Sequence, residues 1–291
     1  MAAPAEPTPK RASSLTLRII SAAVLIPIVA VAAYMGALPW RVLVCVFGVV
    51  MMQEWCIIAS GLPDPSGLGK RVPALEKARP TVPTMFVLVG LISFRTDVPW
   101  VYWWEALAFA LVCTFIITAW KDRRAAPWFV IGLLYVMLPC TAILALRADP
   151  TVGLQQILWI VALVIAADTG AYIAGRSIGG PKLAPRISPN KTWAGLGGAV
   201  VSAAIVGAIT AVLMGRPGIL PLTAVSAVLA IVEQAGDLAE SAFKRHFGVK
   251  DASNIIPGHG GALDRVDGLI AVAAAVAGIN ALIGSSVLTW L

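Results

Sequence analysis

The sequence predicts an all-α, polytopic membrane protein, and three observations lead there. Hydrophobic residues make up 59% of the 291-residue chain and charged residues only 13%. A soluble domain carries about twice that charged share. Apolar runs of about 20 residues recur along the chain, the length an α-helix needs to cross a bilayer. The mean hydropathy of +0.86 agrees with both.

Nine spans are expected, at about 15–35, 40–60, 81–96, 100–120, 127–147, 153–175, 194–214, 219–238 and 268–290. The Pro- and Ala-rich tail before them, 1–14, reads as a disordered cytoplasmic segment. Its basic residues mimic the start of a signal peptide. The run that follows is longer than a signal core and further spans follow it, so it reads as a retained helix. The chain then divides into N-terminal helices over 15–150 and a C-terminal region, 151–291, that carries the chemistry.

Orientation follows from the basic residues between spans. With the N-terminus in the cytoplasm, 18 of the 22 Lys and Arg fall on the cytoplasmic side. The other side receives Arg41, Arg95, Arg147 and Arg216. This split explains the net charge of +7 without nucleic acid. Cys45, Cys56, Cys113 and Cys140 all lie in apolar runs with no CxxC pair, so they read as small buried hydrophobes. Trp40, Trp100, Trp103 and Trp104 sit near span ends and read as an interfacial aromatic belt.

Two polar stretches interrupt this pattern, both on the cytoplasmic side. The first, "ADTGAYIAGRSIGGPKLAPRISPNKTWAG", covers 167–195. Asp168 falls in or near the end of span six, and an acid at membrane depth is a functional candidate. Gly175, Gly179 and Gly180 allow close backbone approach. Arg176, Lys182, Arg186 and Lys191 suit phosphate oxygens, although a positive-inside loop would hold such residues too. In "SPNKTW", Ser188, Asn190 and Thr192 add donors beside Lys191, and Ser188 or Asn190 could cap a helix. No Walker A loop is present.

The second stretch begins in span eight with "EQAGDLAESAFKRHFGVKD", 233–251. Glu233, Asp237, Glu240 and Lys244 recur at helical spacing and share one face. Three carboxylates on one stripe suit a hard cation such as Mg2+. The loop "PGHGGALDRVDG", 257–268, follows. Asp264 and Asp267 are three residues apart before span nine and can share a helical face. If spans eight and nine are neighbours, Asp237 and Asp264 can meet at the cytoplasmic mouth. Such carboxylates, flanking a basic Gly-rich loop, suggest metal ions holding a polyphosphate while Lys and Arg hold the rest. His259 reads equally as a phosphate donor, an acid/base group or a hydrogen-bonded loop residue. Glu54, inside span two, reads equally as functional or structural.

Together these stretches resemble the phosphatidate cytidylyltransferase (CDP-diacylglycerol synthase) family. The resemblance rests on Ser241, Lys244-Arg245, Lys250-Asp251, Pro257 with His259-Gly260-Gly261, and Asp264-Arg265 with Asp267. "DTGAYIAGR" and "ISPNKTW" also look like family motifs. It covers about 165–268, and the N-terminal half agrees only in being polytopic. Ala194 stands where the family usually has Glu, and Gly268 where it usually has Ser.

The resemblance implies CMP transfer from CTP to phosphatidic acid, giving CDP-diacylglycerol and pyrophosphate for phospholipid synthesis. It also implies Mg2+ dependence, a homodimer and an integral membrane protein. The size of the chain and the lack of an obvious organellar transit peptide suggest the cell inner membrane, multi-pass, with the site facing the cytoplasm. Asp237 and Asp264 would be metal ligands, with Asp267 or Glu240 assisting. Lys191, Lys244, Arg245, Lys250 and Arg265 would hold phosphates, and the Gly-rich loop would admit the nucleotide to backbone N–H groups. Asp168, Arg176, Ser188, Thr192, Ser241, His259, Gly260 and Gly261 complete the expected substrate site. A CDP-alcohol phosphotransferase is disfavoured because its DGxxAR and GxxxDxxxD pattern is absent. A CTP-using lipid kinase would move only the terminal phosphate. An ion path through Glu54, Asp168 and Asp237 would leave the phosphate-suited loop unused.

Overall fold

The computed structural model describes residues 14–61, 81–215, 218–253, 255 and 260–289. The described residues form nine α-helices. They are α1 (Ser14–Met35), α2 (Ala37–Ala59), α3 (Thr81–Ser93), α4 (Trp100–Lys121), α5 (Ala126–Ala148), α6 (Gly153–Ser177), α7 (Trp193–Leu213), α8 (Ile219–His246) and α9 (Leu263–Ile283). Seven of them, α2 and α4 to α9, are long and apolar enough to cross a membrane. The fold is that of a helical, multi-pass membrane protein. Helix α3 has 13 residues. At 1.5 Å per residue that is about 20 Å, less than the ~30 Å hydrocarbon core. In α1 the apolar stretch described is Ile26–Met35.

Three local features depart from the sequence expectation. Helix α8 does not stop at 238 but runs on to His246. Hydropathy marks where a span turns polar, whereas Leu, Ala, Glu, Lys and Arg keep the helix going. Helix α9 starts at Leu263 and ends at Ile283, where Gly284 takes a left-handed cap at φ 77°. A small antiparallel hairpin also joins the helices: β1 (Lys182–Ala184) pairs with β2 (Ser188–Thr192), Lys182 opposite Thr192 and Ala184 opposite Ser188. Gly179 and Gly180, with φ of 68° and 90°, turn the chain from α6 into it.

Small residues hold the C-terminal helices close. A Cβ on Gly170 of α6 would lie 2.5 Å from the Gly198 carbonyl of α7. A Cβ on Gly207 of α7 would lie 2.6 Å from the Leu222 carbonyl of α8. A Cβ on Gly236 of α8 would lie 2.5 Å from Ala271 Cβ of α9. In a bilayer such backbone proximity is the main source of helix affinity, because the tails are as apolar as the side chains. Helices α8 and α9 are therefore neighbours, as the meeting of their carboxylates requires.

The N-terminal helices pack differently. Met51, Met52, Phe129 and Leu133 are fully buried where α2 meets α5, and α3 lies against α2. Trp40 belongs to this core, at 6% exposure, and not to an interfacial belt. Its indole donates to the Ile143 carbonyl of α5. Trp100 and Trp104 are exposed, as a belt requires. Cys45, Cys56 and Cys140 are buried free thiols.

Candidate active site

Two lysines organise the carboxylates at one end of the C-terminal helices. Lys191 is carried by β2. The hairpin lies against the end of α8, and its turn is held by Arg245, whose Nε donates to the Ile187 carbonyl at 3.3 Å. Lys191 Nζ lies 2.7 Å from Asp237 Oδ2 and donates to Gln234 Oε1 at 2.9 Å. Gln234 in turn donates to Glu233 Oε2 at 2.7 Å. Ser241 Oγ, one turn along α8, donates to Asp237 Oδ1. Glu233 also lies beside Asp168 of α6. The expected stripe of Glu233, Asp237, Glu240 and Lys244 is thus a real face of α8, turned towards α6, β2 and α9.

The second lysine joins α8 to α9. Lys244 Nζ lies 2.6 Å from both Glu240 Oε2 and Asp264 Oδ1. The Glu240 side chain is fully buried, and its Oε1 has no hydrogen-bond partner among the described residues. Asp264 Oδ2 accepts from the N–H groups of Ala252, 2.9 Å, and Gly261, 3.0 Å. Asp264 therefore fastens two points of the connecting segment, Ala252 and Gly261, to its own helix. Asp267 accepts from Gly268 N. Gly268 is needed for room, since a Cβ there would lie 2.7 Å from Glu233 Oε1.

The third organiser comes from the other half of the chain. Glu54 of α2 is fully buried. It accepts from Ala262 N at 3.0 Å and Leu263 N at 2.8 Å, and Ser253 Oγ also donates to it. The first N–H groups of a helix have no partner within it. Glu54 supplies one from a distant helix, and its charge complements the positive end of the α9 dipole. A Cβ on Gly261 would meet Glu54 Oε1 at 2.8 Å, so this glycine seats the loop on the carboxylate. The sequence signal was an acid in an apolar run, but nothing in it named the partner. Tyr135 of α5 is a second contribution that the sequence did not suggest. Its hydroxyl is buried without a hydrogen-bond partner among the described residues, in the electrostatic field of Asp267, Glu240 and Asp237.

The remaining expected residues lie around this core. Thr192, not Ser188 or Asn190, caps α7: its Oγ1 accepts from Gly195 N at 3.0 Å. Ser188 and Asn190 sit in β2, and an N-cap must immediately precede its helix. Arg176 is exposed and donates to the Tyr172 hydroxyl. Lys250 and Arg265 are exposed, and Gly260 adopts φ 85° beside Asp264. His259 lies outside the described residues.

The donor chemistry fits a hard cation. Every group around Lys191 and Lys244 is an oxygen donor, and a carboxylate oxygen that accepts one hydrogen bond retains a second lone pair. The buried Glu240 Oε1, which has no hydrogen-bond partner among the described residues, is the donor most suited to such an ion. No group of three His, Cys, Asp or Glu stands in ligating geometry among the described residues. In their place two lysine ammonium groups balance the acids.

Comparisons agree with this picture. The profile described as the cytidylyltransferase family matches residues 16–282. A Brucella suis protein named phosphatidate cytidylyltransferase is 46% identical over 159 residues, 55% of this chain and 58% of that protein. A Rickettsia bellii protein of the same name is 33% identical over 208 residues, 67% of this chain and 90% of that protein. A Haemophilus influenzae protein of that name is 44% identical over 128 residues, 42% of this chain and 44% of that protein. The match to the Brucella relatives thus spans little more than half of their length.

Proposed function

The chain belongs to the cytidylyltransferase family, and from that premise we propose that it transfers CMP from CTP to phosphatidic acid. The products are CDP-diacylglycerol and pyrophosphate. An oxygen of the lipid phosphate attacks the α-phosphorus of CTP, and the bond from that phosphorus to the bridging oxygen of the β-phosphate breaks. The nucleophile is already anionic, so no strong base is needed. The difficulty is to bring two anions together and to stabilise charge on the leaving pyrophosphate.

The observation that carries this reading is the alternation of cations and carboxylates at one end of α8 and α9. Lys191 and Lys244 sit among the acids within salt-bridge distance. When nucleotide binds, each ammonium can turn from its carboxylate to a phosphate oxygen, and the released carboxylates are free to hold Mg2+. Asp237 and Asp264, with Asp267 and Glu240 beside them, would hold that ion. When bound it would neutralise phosphate charge and act as a Lewis acid at the leaving group. Arg245, Lys250 and Arg265 ring the same end and suit the outer phosphates. Asp168, Arg176, Ser188, Thr192, Ser241, His259, Gly260 and Gly261 belong to the nucleotide and lipid surroundings.

This end would face the cytosol, where CTP is found, with the protein in the inner membrane and the N-terminus inside. The Lys and Arg asymmetry supports that orientation. A homodimer is part of the same proposal. The test is purified protein with phosphatidic acid, Mg2+ and CTP labelled in turn on the cytosine and on the γ-phosphate. Cytosine label should enter the lipid and γ-label should leave as pyrophosphate. Transfer of γ-label to lipid would establish a kinase and overturn the proposal.

A further inference from the structure

A cavity of about 670 Å³ lies at the end of the helices opposite the carboxylates, bounded by α4, α5, α6 and α9. Asn280, on its wall, is 16 residues from Asp264 along α9, which is about 24 Å at helical rise. The cavity is therefore separate from the proposed catalytic site. Its lining is segregated by height. Asp149, Gln156, Asn280 and Ser286 line it where α5 ends, α6 begins and α9 ends. Leu138, Ala142 and Ala274, two to three turns deeper, give it apolar walls. Trp100 and Trp104, both about half exposed, stand at its rim at the start of α4.

The polar end has a definite charge. Arg147 is turned away, donating to the Ala33 and Tyr34 carbonyls of α1. Asp149 is thus the charged group on the lining. Burial raises its carboxyl, but hydrogen bonds from Thr151 and Val152 outweigh it and hold the group below the usual carboxylate range. Those bonds use Oδ1 alone. Gln156 is buried and fixed by Asn280, whose Nδ2 donates to it at 2.8 Å, while Asn280 Oδ1 accepts from Val287 N. The polar end is a rigid amide pair beside an anion, placed where an apolar shaft opens.

We propose that this cavity binds one amphiphile: a lipid with a cationic ammonium head at Asp149 and an acyl chain in the shaft. A zwitterionic aminophospholipid has both parts. An anionic phosphatidyl lipid without an amine would bring its phosphate against Asp149 and gain no partner. The site would give the enzyme a contact with the membrane leaflet that its cytosolic end does not reach.

The test uses the full chain in detergent micelles, titrated with phosphatidylethanolamine or phosphatidylglycerol of matched chains, and native mass spectrometry to count retained lipids. Wild type should hold one phosphatidylethanolamine per chain more tightly than phosphatidylglycerol. Asp149→Asn keeps the Oδ1 acceptor of the turn and removes the charge. It should erase that preference, with phosphatidylethanolamine retention falling about fivefold, as for one half-buried ion pair. Gly278→Leu fills the shaft from a position whose Cβ meets nothing within 4 Å, so the helix tolerates it. It should abolish the retained lipid without lowering the apparent Tm. Equal retention of the two lipids by wild type, or undiminished retention in Gly278→Leu, would overturn the proposal. Neither result bears on CMP transfer, because both variants lie far from the lysine and carboxylate network.

Discussion

Helices α2 to α5 and helices α6 to α9 hold together by different means. The first set fills its interior with large side chains such as Met51, Met52, Phe129 and Leu133. The second brings backbones into contact through Gly170, Gly198, Gly207 and Gly236. Bulky packing fills the interior with side chains and keeps the backbones apart. Backbone contact gives rigidity with little volume, so that side chains on the remaining faces can be polar and still be fixed. The polar network is accordingly concentrated in the second set, and the first contributes the buried Glu54 carboxylate and the Tyr135 hydroxyl to it.

The largest expected effect comes from Asp264→Asn. It removes a charge that Lys244 and two loop N–H groups share. Transfer from CTP should fall by more than about 100-fold, the scale for losing a key electrostatic group. Size-exclusion behaviour should be unchanged. Near-normal turnover would show that the site lies elsewhere. Next comes Glu54→Ala, the variant that would break the division of labour. It leaves the Ala262 and Leu263 N–H groups without their acceptor and should cost about 3 kcal/mol in stability. Activity per folded molecule should also fall, read as turnover against the folded fraction from thermal scans. If activity simply tracks the folded fraction, the first set only supports.

A matched pair sharpens the contrast. Gly198→Leu should force α6 from α7 and cost about 2 kcal/mol, within the range for overpacking. Leu133→Ala should cost a similar or larger amount, about 3 kcal/mol, by leaving a cavity. Turnover per folded molecule should drop only in Gly198→Leu, since only that change moves β2 and Lys191. The smallest effect belongs to Thr192→Ala, which removes the α7 cap for about 1 kcal/mol, visible as a lower apparent Tm.

What the sequence disclosed follows from what periodicity and composition can carry. Apolar runs located the helices, and seven of those among the described residues are long and apolar enough to cross a membrane. They misjudged α8, since hydropathy does not register a helix that continues past its apolar stretch. The spacing of Glu233, Asp237, Glu240 and Lys244 gave their shared face, because those residues lie on one continuous helix. The pairing of Lys191 with Asp237 was not legible, since it depends on a hairpin whose register no local signal sets. Glu54 was visible as an anomaly, but its partners lie about 200 positions away. Its meaning was a matter of tertiary packing. Thr192 displaced Ser188 and Asn190 as the cap because two strands form before the helix begins.

The bond network of Glu54 also bears on how the protein is made. Chains are synthesised and inserted from the N-terminus, so α2 enters the bilayer long before Ser253, Ala262 and Leu263 exist. Throughout that interval the Glu54 carboxylate lacks every donor it has in the finished fold. Packing of Ser253, Ala262 and Leu263 against α2 supplies the three donors. The step that completes the Asp264 network is then the step that gives an early helix its missing partners. Assembly of the bundle and maturation of its polar end become a single event.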